Sequence, residues 1–177
     1  AKFVGSKVKV IEIGVESGGS LEMWKHYFGA QSHVYGIDID ESCRKYENKK
    51  NNIEIFIGDQ GDSKFWEFFY EKVGIVDIVI DDGSHSAEDQ IMTLEKSLQH
   101  LSPGGGYLCE DLKRFLNGFS LYVAGFTFGL NALEDKPTKF QKAIDSVHIY
   151  PFVAVVEKRA HELKSLKPIR RGTEWNL

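Results

Sequence analysis

Ile75-Val76-Asp77-Ile78-Val79-Ile80-Asp81-Asp82-Gly83-Ser84-His85 decides the fold of this 177-residue chain. The Val/Ile run between Gly74 and an Asp-Asp-Gly turn reads as a buried parallel strand ending at Ile80. In open α/β sheets, ligands bind beyond the carboxyl ends of the strands. Two carboxylates and an imidazole are therefore delivered to the edge where ligands bind. A second acidic pair, Glu110-Asp111, ends the next strand-like run, Gly106-Tyr107-Leu108-Cys109. Adjacent acids at a buried strand end repel each other unless a cation sits there. The expectation is that both strand ends meet over one divalent metal. A turn at Asp81-Asp82 with a helix cap at Ser84 is the plainer alternative.

Upstream, Val8–Ile13 reads as the first strand, Gly14 to Ser20 as a Gly-rich turn, and Leu21 onward as a helix. Leu21, Trp24, Tyr27 and Phe28 share one helical face, and Gly29 closes it. Residues 33–38 and 53–57 are the second and third strands, and a polar helix starts near Glu41. The Gly58-Asp59-Gln60-Gly61-Asp62 turn precedes an aromatic helix whose Phe65, Phe68 and Phe69 are expected in the core. Asp59 and Gln60 suit an adenine amino edge, or else Gly58-Asp59 is simply a turn and Asp62 a helix cap.

Downstream, a helix over 86–100 buries Ile91, Leu94 and Leu98. Ser102–Gly106 reads as a turn, and 115–133 as a Gly-containing helix. Ile144–Tyr150 and Phe152–Lys158, joined only at Pro151, must pair antiparallel. The architecture is α/β: a doubly wound, mostly parallel sheet of about seven strands with a C-terminal antiparallel hairpin. Residues 1–177 are expected to form a single domain.

Composition narrows the function. A net charge of -4 without a Lys/Arg cluster argues against nucleic acid. No apolar run approaches the length of a membrane span. Cys43 and Cys109 have no metal-type spacing and read as buried free thiols, which suits the cytoplasm.

The strand-one turn also narrows the ligand. A dinucleotide fingerprint needs G-x-G-x-x-G, whereas Gly14 is followed by Gly18 and Gly19. Glu12, just before the turn, would repel a phosphate and attract an ammonium group. Asp38, ending strand two, can accept from a ribose diol. A nucleoside with an amino-acid tail, S-adenosylmethionine, fits better than NAD.

At this point IEIGVESGGSLEMW (11–24), VYGIDID (34–40), IFIGDQGD (55–62), IVIDDGSH (78–85) and PGGGYLCEDL (103–112) resemble a known family. The chain resembles class I S-adenosylmethionine-dependent methyltransferases with a Rossmann-like sheet. More narrowly, it is similar to the macrocin/mycinamicin-type sugar O-methyltransferases and their cephalosporin-hydroxylase-type relatives. The resemblance implies a magnesium ligand at Asp82, two more at Glu110 and Asp111, and a general base at His85. It implies cofactor contacts at Glu12, Gly14, Gly18, Ser20, Asp38, Asp59 and Gln60, with Asp81 contacting through its backbone.

The implied reaction is Mg2+-dependent methylation of a small-molecule hydroxyl, a sugar hydroxyl of a natural product by resemblance. Three carboxylates form a hard donor set suited to Mg2+. A NAD-type oxidoreductase and a non-catalytic cofactor-binding module are the alternatives. The family usually places a His and a small hydroxyl residue after the acidic pair, where this chain has Leu112-Lys113-Arg114-Phe115. Larger relatives carry N-terminal sequence that this chain lacks, sequence that helps cover the active site or build oligomers. A homo-oligomer is left open.

Overall fold

The computed structural model describes residues 2–112, 117–132 and 136–164. Its elements run β1 (Lys9–Ile13), α1 (Gly19–Phe28), β2 (His33–Asp38), β3 (Ile53–Ile57), α2 (Ser63–Val73), β4 (Val76–Asp81), α3 (Ala87–His100), β5 (Leu101–Cys109), α4 (Gly118–Leu130), α5 (Lys139–Ala143), β6 (Ile144–Tyr150) and β7 (Val153–Lys158). They build one seven-stranded sheet in the order β3-β2-β1-β4-β5-β7-β6. The first five strands in that order are parallel, and β7 pairs antiparallel with both β5 and β6. Tyr150 faces Val153 across the Pro151-Phe152 turn, as a two-residue connection requires.

Helices cover both faces, which is why the central strands are apolar almost without interruption. In β1, Ile11 and Ile13 pack toward α2 and α3, and Val10 packs with Phe28 of α1. The deepest packing is aromatic. Trp66 and Phe69 of α2 are fully buried, and Tyr107 of β5 and Phe119 of α4 are equally so. Phe68 turns outward, contrary to the sequence expectation. Its ring lies under Lys72, and Trp66 fills the core position instead.

Two other elements differ from expectation. The polar helix after β2 is a 3₁₀ segment over Glu41–Tyr46, started by the Asp40 side chain accepting from Ser42 N–H. The Ser102–Gly106 turn is part of β5. Pairing with β4 jumps from Val76–Leu101 to Ile78–Gly106, so the glycines form a broad bulge inside a continuous strand. In α3 the most enclosed side chains include the polar Gln90, Thr93 and Ser97, along with Leu94. Ile91 and Leu98, expected on that side, are partly buried against the core.

The order in which strands are added reverses between β1 and β4, so their carboxyl ends open a crevice at the switch point. Ile13 pairs with Asp81, and Asp82 N–H donates to the Ile13 carbonyl at 3.0 Å. Gly14 sits between these ends at φ +92, where an added Cβ would lie 2.2 Å from the Asp82 carbonyl oxygen. This contact locks the strand-one turn to the acidic turn. Gly14→Ala is therefore expected to cost at least ~2 kcal/mol, measured by urea unfolding. An unchanged midpoint would show that the two turns are not in contact.

Candidate active site

Strand alternation sends consecutive acids in opposite directions. Asp81 points to the α3 side and is fully buried. One oxygen accepts from the Tyr107 hydroxyl at 2.6 Å, and the other from Gln60 Nε2 at 3.1 Å. Burial nonetheless pushes its carboxyl above the usual range. A cofactor contact at Asp81 would therefore have to come from its backbone, as expected, and not from its side chain. Its carboxylate is enclosed on the far side, and its backbone carbonyl accepts from Glu110 N–H.

Asp82 faces the opposite way, into a cavity of about 580 Å³. There it meets His85 and Asp111, and one ligand atom from each of the three lies within 4.8 Å of the others. His85 Nε2 stands 4.0 Å from Asp111 Oδ2. His85 and Asp111 both adopt φ +56, a left-handed conformation uncommon outside glycine. Such backbone costs on the order of 1–3 kcal/mol and persists where surroundings over-determine it, typically at functional sites.

Glu110 falls outside the trio, although it was expected to be one of three metal-binding acids. Burial raises its pKa, and the charges of Asp82 and Asp111 raise it further. It therefore belongs to the same field of negative charge without sharing the closest grouping.

The strand-one side presents a buried acid. Glu12 is 3% exposed. Its Oε1 accepts from Trp24 Nε1 at 3.2 Å, and Oε2 is buried with no hydrogen-bond partner. Burial raises its pKa to about 7, against hydrogen bonds from Ser20 and Trp24, and the charges of Asp82 and Glu110 add to the rise. Ser20 thus reaches Glu12 from the first turn of α1. No side chain caps that helix start, so its N–H groups remain available to a ligand.

Asp38, at the end of β2, lines the cavity. Its Oδ2 accepts from Val15 and Glu16 N–H at 2.9 and 3.1 Å, and its Oδ1 from Asp40 N–H at 2.9 Å. Burial opposes its charged form, but these three N–H groups and the Cys43 thiol together outweigh it and hold the carboxyl below its usual range. The carboxylate expected to accept from a ribose diol is thus also tied to the strand-one turn. Gly18, at φ +73, packs under the Tyr46 ring, where a Cβ would come within 2.5 Å. Internal packing, rather than ligand approach, is sufficient reason for glycine there.

Asp59 lines the cavity and also closes its own turn by accepting from Gly61 N–H, while Asp62 caps α2. Gln60 lines the cavity too, but both its amide N–H groups point inward, to Asp81 and Thr93. With Glu16 and Asp40 also present, the lining carries enough carboxylate to repel a pyrophosphate.

The sequence reading missed several participants. Trp24 was read as part of a helix face, and its indole holds Glu12. Tyr107 was read as a strand residue, and its hydroxyl holds Asp81. Cys43 lines the cavity, with its thiol directed at the Glu16 carbonyl. Only Tyr107 carried a usable signal, because a phenol inside an apolar strand needs a buried partner. The Lys113-Arg114 segment lies outside the described residues.

A nucleoside-sized crevice at the switch point of a β3-β2-β1-β4-β5-β7-β6 sheet defines the class: the chain has the class I S-adenosylmethionine-dependent methyltransferase fold, and it resembles the macrocin- and mycinamicin-type sugar O-methyltransferases. Among curated proteins, it is 32% identical to an 8-demethyl-8-alpha-L-rhamnosyl tetracenomycin-C 2'-O-methyltransferase of Streptomyces olivaceus, over 91% of this chain and 48% of that protein. It is 36% identical to the demethylmacrocin O-methyltransferase of Streptomyces fradiae, over 63% of this chain and 29% of that protein. Among solved structures, the MycE methyltransferase of the mycinamycin pathway, in complex with Mg, SAH and mycinamycin VI, superposes with a TM-score of 0.78. The identity is 31%, over 89% of this chain and 46% of that one. The chain spans less than half the length of each of these relatives. No protein-family model matches it.

The state of Glu12 makes stability pH-dependent. The folded protein holds the Glu12 proton up to about pH 7, whereas an unperturbed carboxyl releases it near 4.5. Between those values the native state binds more protons, so stability falls as pH rises. A shift of this size corresponds to ~3 kcal/mol. In ligand-free protein, Glu12→Gln is expected to match wild type near pH 4.5 and to exceed it by about 2–3 kcal/mol above pH 8. Urea unfolding across that range checks it, and parallel pH profiles would contradict it.

Proposed function

We propose that this domain, residues 1–177, is a Mg2+-dependent S-adenosyl-L-methionine O-methyltransferase. Its acceptor is a hydroxyl, in the finer reading a sugar hydroxyl, of a glycosylated or polyketide natural product. The observation that carries this reading is one crevice joining an acid-lined nucleoside cavity to the Asp82–His85–Asp111 cluster. The names of the relatives support it. A small-molecule acceptor also fits a chain with a net charge of -4. Among the described residues, no helix is long and apolar enough to cross a membrane.

The residues present fit both bound groups. Glu12 Oε2 is a buried acceptor lacking a donor, beside an uncapped helix start. An ammonium and a carboxylate of the methionine tail would satisfy both ends. Carboxylates are hard donors, and the repulsion that Asp82 and Asp111 exert on Glu110 would be relieved by a divalent cation. Asp82 and Asp111 would hold that cation, with Glu110 adding negative charge beside them. S-adenosylmethionine supplies an electrophilic methyl group, and Mg2+ supplies a Lewis acid that lowers the proton affinity of a hydroxyl.

The chain's own residues do the remaining work. Asp38, Asp59 and Gln60 bound the nucleoside end of the cavity. Glu12 fixes the methionine tail, and so fixes the depth of the sulfonium relative to the acidic cluster. His85 takes the proton of the acceptor hydroxyl on an imidazole nitrogen, since imidazole is the side chain suited to proton transfer near neutrality. Asp111, across from Nε2, stabilises the resulting positive charge. General-base help of this kind is worth about 10²–10⁴-fold. Positioning of the hydroxyl against the methyl carbon supplies the larger share.

Calorimetry with S-adenosylhomocysteine, with and without Mg2+, tests the proposal. Binding is expected, and its absence in both conditions would reject the reading. His85→Ala is expected to keep that binding and to lose about 10²–10⁴-fold in turnover of a hydroxylated glycoside acceptor. Undiminished turnover would remove His85 from the chemistry.

A further inference from the structure

We infer that Gln60 is a positioning residue that holds the Asp82–His85 turn in the geometry the cation and the base require, acting through Ser84 N–H and Asp81. The inference rests on the functional reading of that turn given above.

His85 cannot keep a left-handed backbone by its own preference, so its neighbours must be fixed. Ser84 N–H donates to Gln60 Oε1 at 2.7 Å, and Gly83 N–H reaches Asp81 Oδ1 at 3.4 Å. On the other side, the Ser84 hydroxyl accepts from Ser86 N–H at 3.2 Å and donates to Asp89 Oδ2 at 2.7 Å. His85 is thus held between two anchored residues. The upstream anchor is Gln60 itself, since its Nε2 also donates to the Asp81 carboxylate.

Gln60 is in turn immobile. It is 6% exposed. Its second Nε2 bond goes to Thr93 Oγ1 at 3.1 Å, and its backbone carbonyl accepts from the buried Trp66 Nε1 at 2.8 Å. Asp81, Thr93, Tyr107 and Trp66 are all fully buried. The turn is pressed so closely on the amide that a Cβ on Gly83 would fall 2.0 Å from Gln60 Oε1. Both N–H groups and one lone pair of the amide are committed within the protein. A ligand in the cavity is left one lone pair of Oε1. Placement of the turn, rather than recognition of adenine, is what this side chain is built to do.

Gln60→Met keeps the volume and removes all three side-chain hydrogen bonds. It is compared with Thr93→Val, which removes one buried bond of the same amide but spares Ser84. Three quantities are measured in full-length protein: amide hydrogen exchange at Ser84, Mn2+ affinity by electron paramagnetic resonance, and Mn2+ broadening of the His85 ring resonances. Gln60→Met is expected to speed Ser84 exchange and weaken Mn2+ binding by about tenfold each, the scale of one lost hydrogen bond. It should also reduce the broadening at His85. Thr93→Val is expected to lower the melting temperature and leave all three within about twofold of wild type. S-adenosylhomocysteine affinity should change by less than threefold in Thr93→Val.

Wild-type exchange and Mn2+ affinity in Gln60→Met, or equal losses in both variants, would overturn the role. If Gln60→Met does not fold, Ser84 exchange in the wild-type protein decides: slow exchange supports the anchor, and exchange as fast as a solvent-exposed amide overturns it. If wild-type protein binds neither Mn2+ nor S-adenosylhomocysteine, the functional reading of the turn fails. The exchange data would then still judge the Gln60–Ser84 anchor by itself.

Discussion

Mutual repulsion among carboxylates at three neighbouring strand ends is the constraint on which the rest of this structure depends. Glu12 of β1, Asp81 and Asp82 of β4 and its turn, and Glu110 and Asp111 after β5 converge on one sheet edge. A protein tolerates such a concentration by protonating some groups, by donating hydrogen bonds to others, or by binding cations. The first two solutions are visible, and the geometry allows the third. Glu12 is raised toward neutrality by burial. Asp81 is held by Tyr107 and Gln60. Asp82 and Asp111 meet His85 in a grouping that can share an ion.

The fold makes this arrangement by simple rules. The switch of strand order between β1 and β4 opens the crevice, and the parallel register brings the ends of β1 and β4 level. Alternation then divides Asp81 from Asp82, one inward to a structural network and one outward to the cavity. The left-handed backbone at His85 and Asp111 turns both side chains onto the same space. Left-handed backbone also occurs at Glu16, Asn52 and Phe152, but at His85 a buried hydrogen-bonded network lies directly beneath the turn.

Much of this was legible in the sequence. Strand runs, their bounding glycines and the short link at Pro151 gave the sheet and its antiparallel end. The spacing after Glu12 argued against a dinucleotide, and the relatives that superpose are methyltransferases. What stayed hidden depends on three-dimensional pairing. Ser102–Gly106 read as a turn because glycines break local propensity, yet the β4 register draws them into a strand. Phe68 faces outward and Trp66 inward because helix phase is set by packing on the sheet. That Asp81 belongs to the interior follows from alternation, but its partners Tyr107 and Gln60 lie 26 and 21 positions away. Glu110 and Asp111 read as equivalent, and only backbone geometry separates them.

The most direct measurement is anomalous diffraction from crystals containing Mn2+ and S-adenosylhomocysteine. One manganese peak is expected at about 2.1 Å from carboxylate oxygens of both Asp82 and Asp111, beside the sulfur of the nucleoside. A peak held by other residues, or none at a concentration that saturates Mn2+ binding in solution, would contradict the shared-cation site.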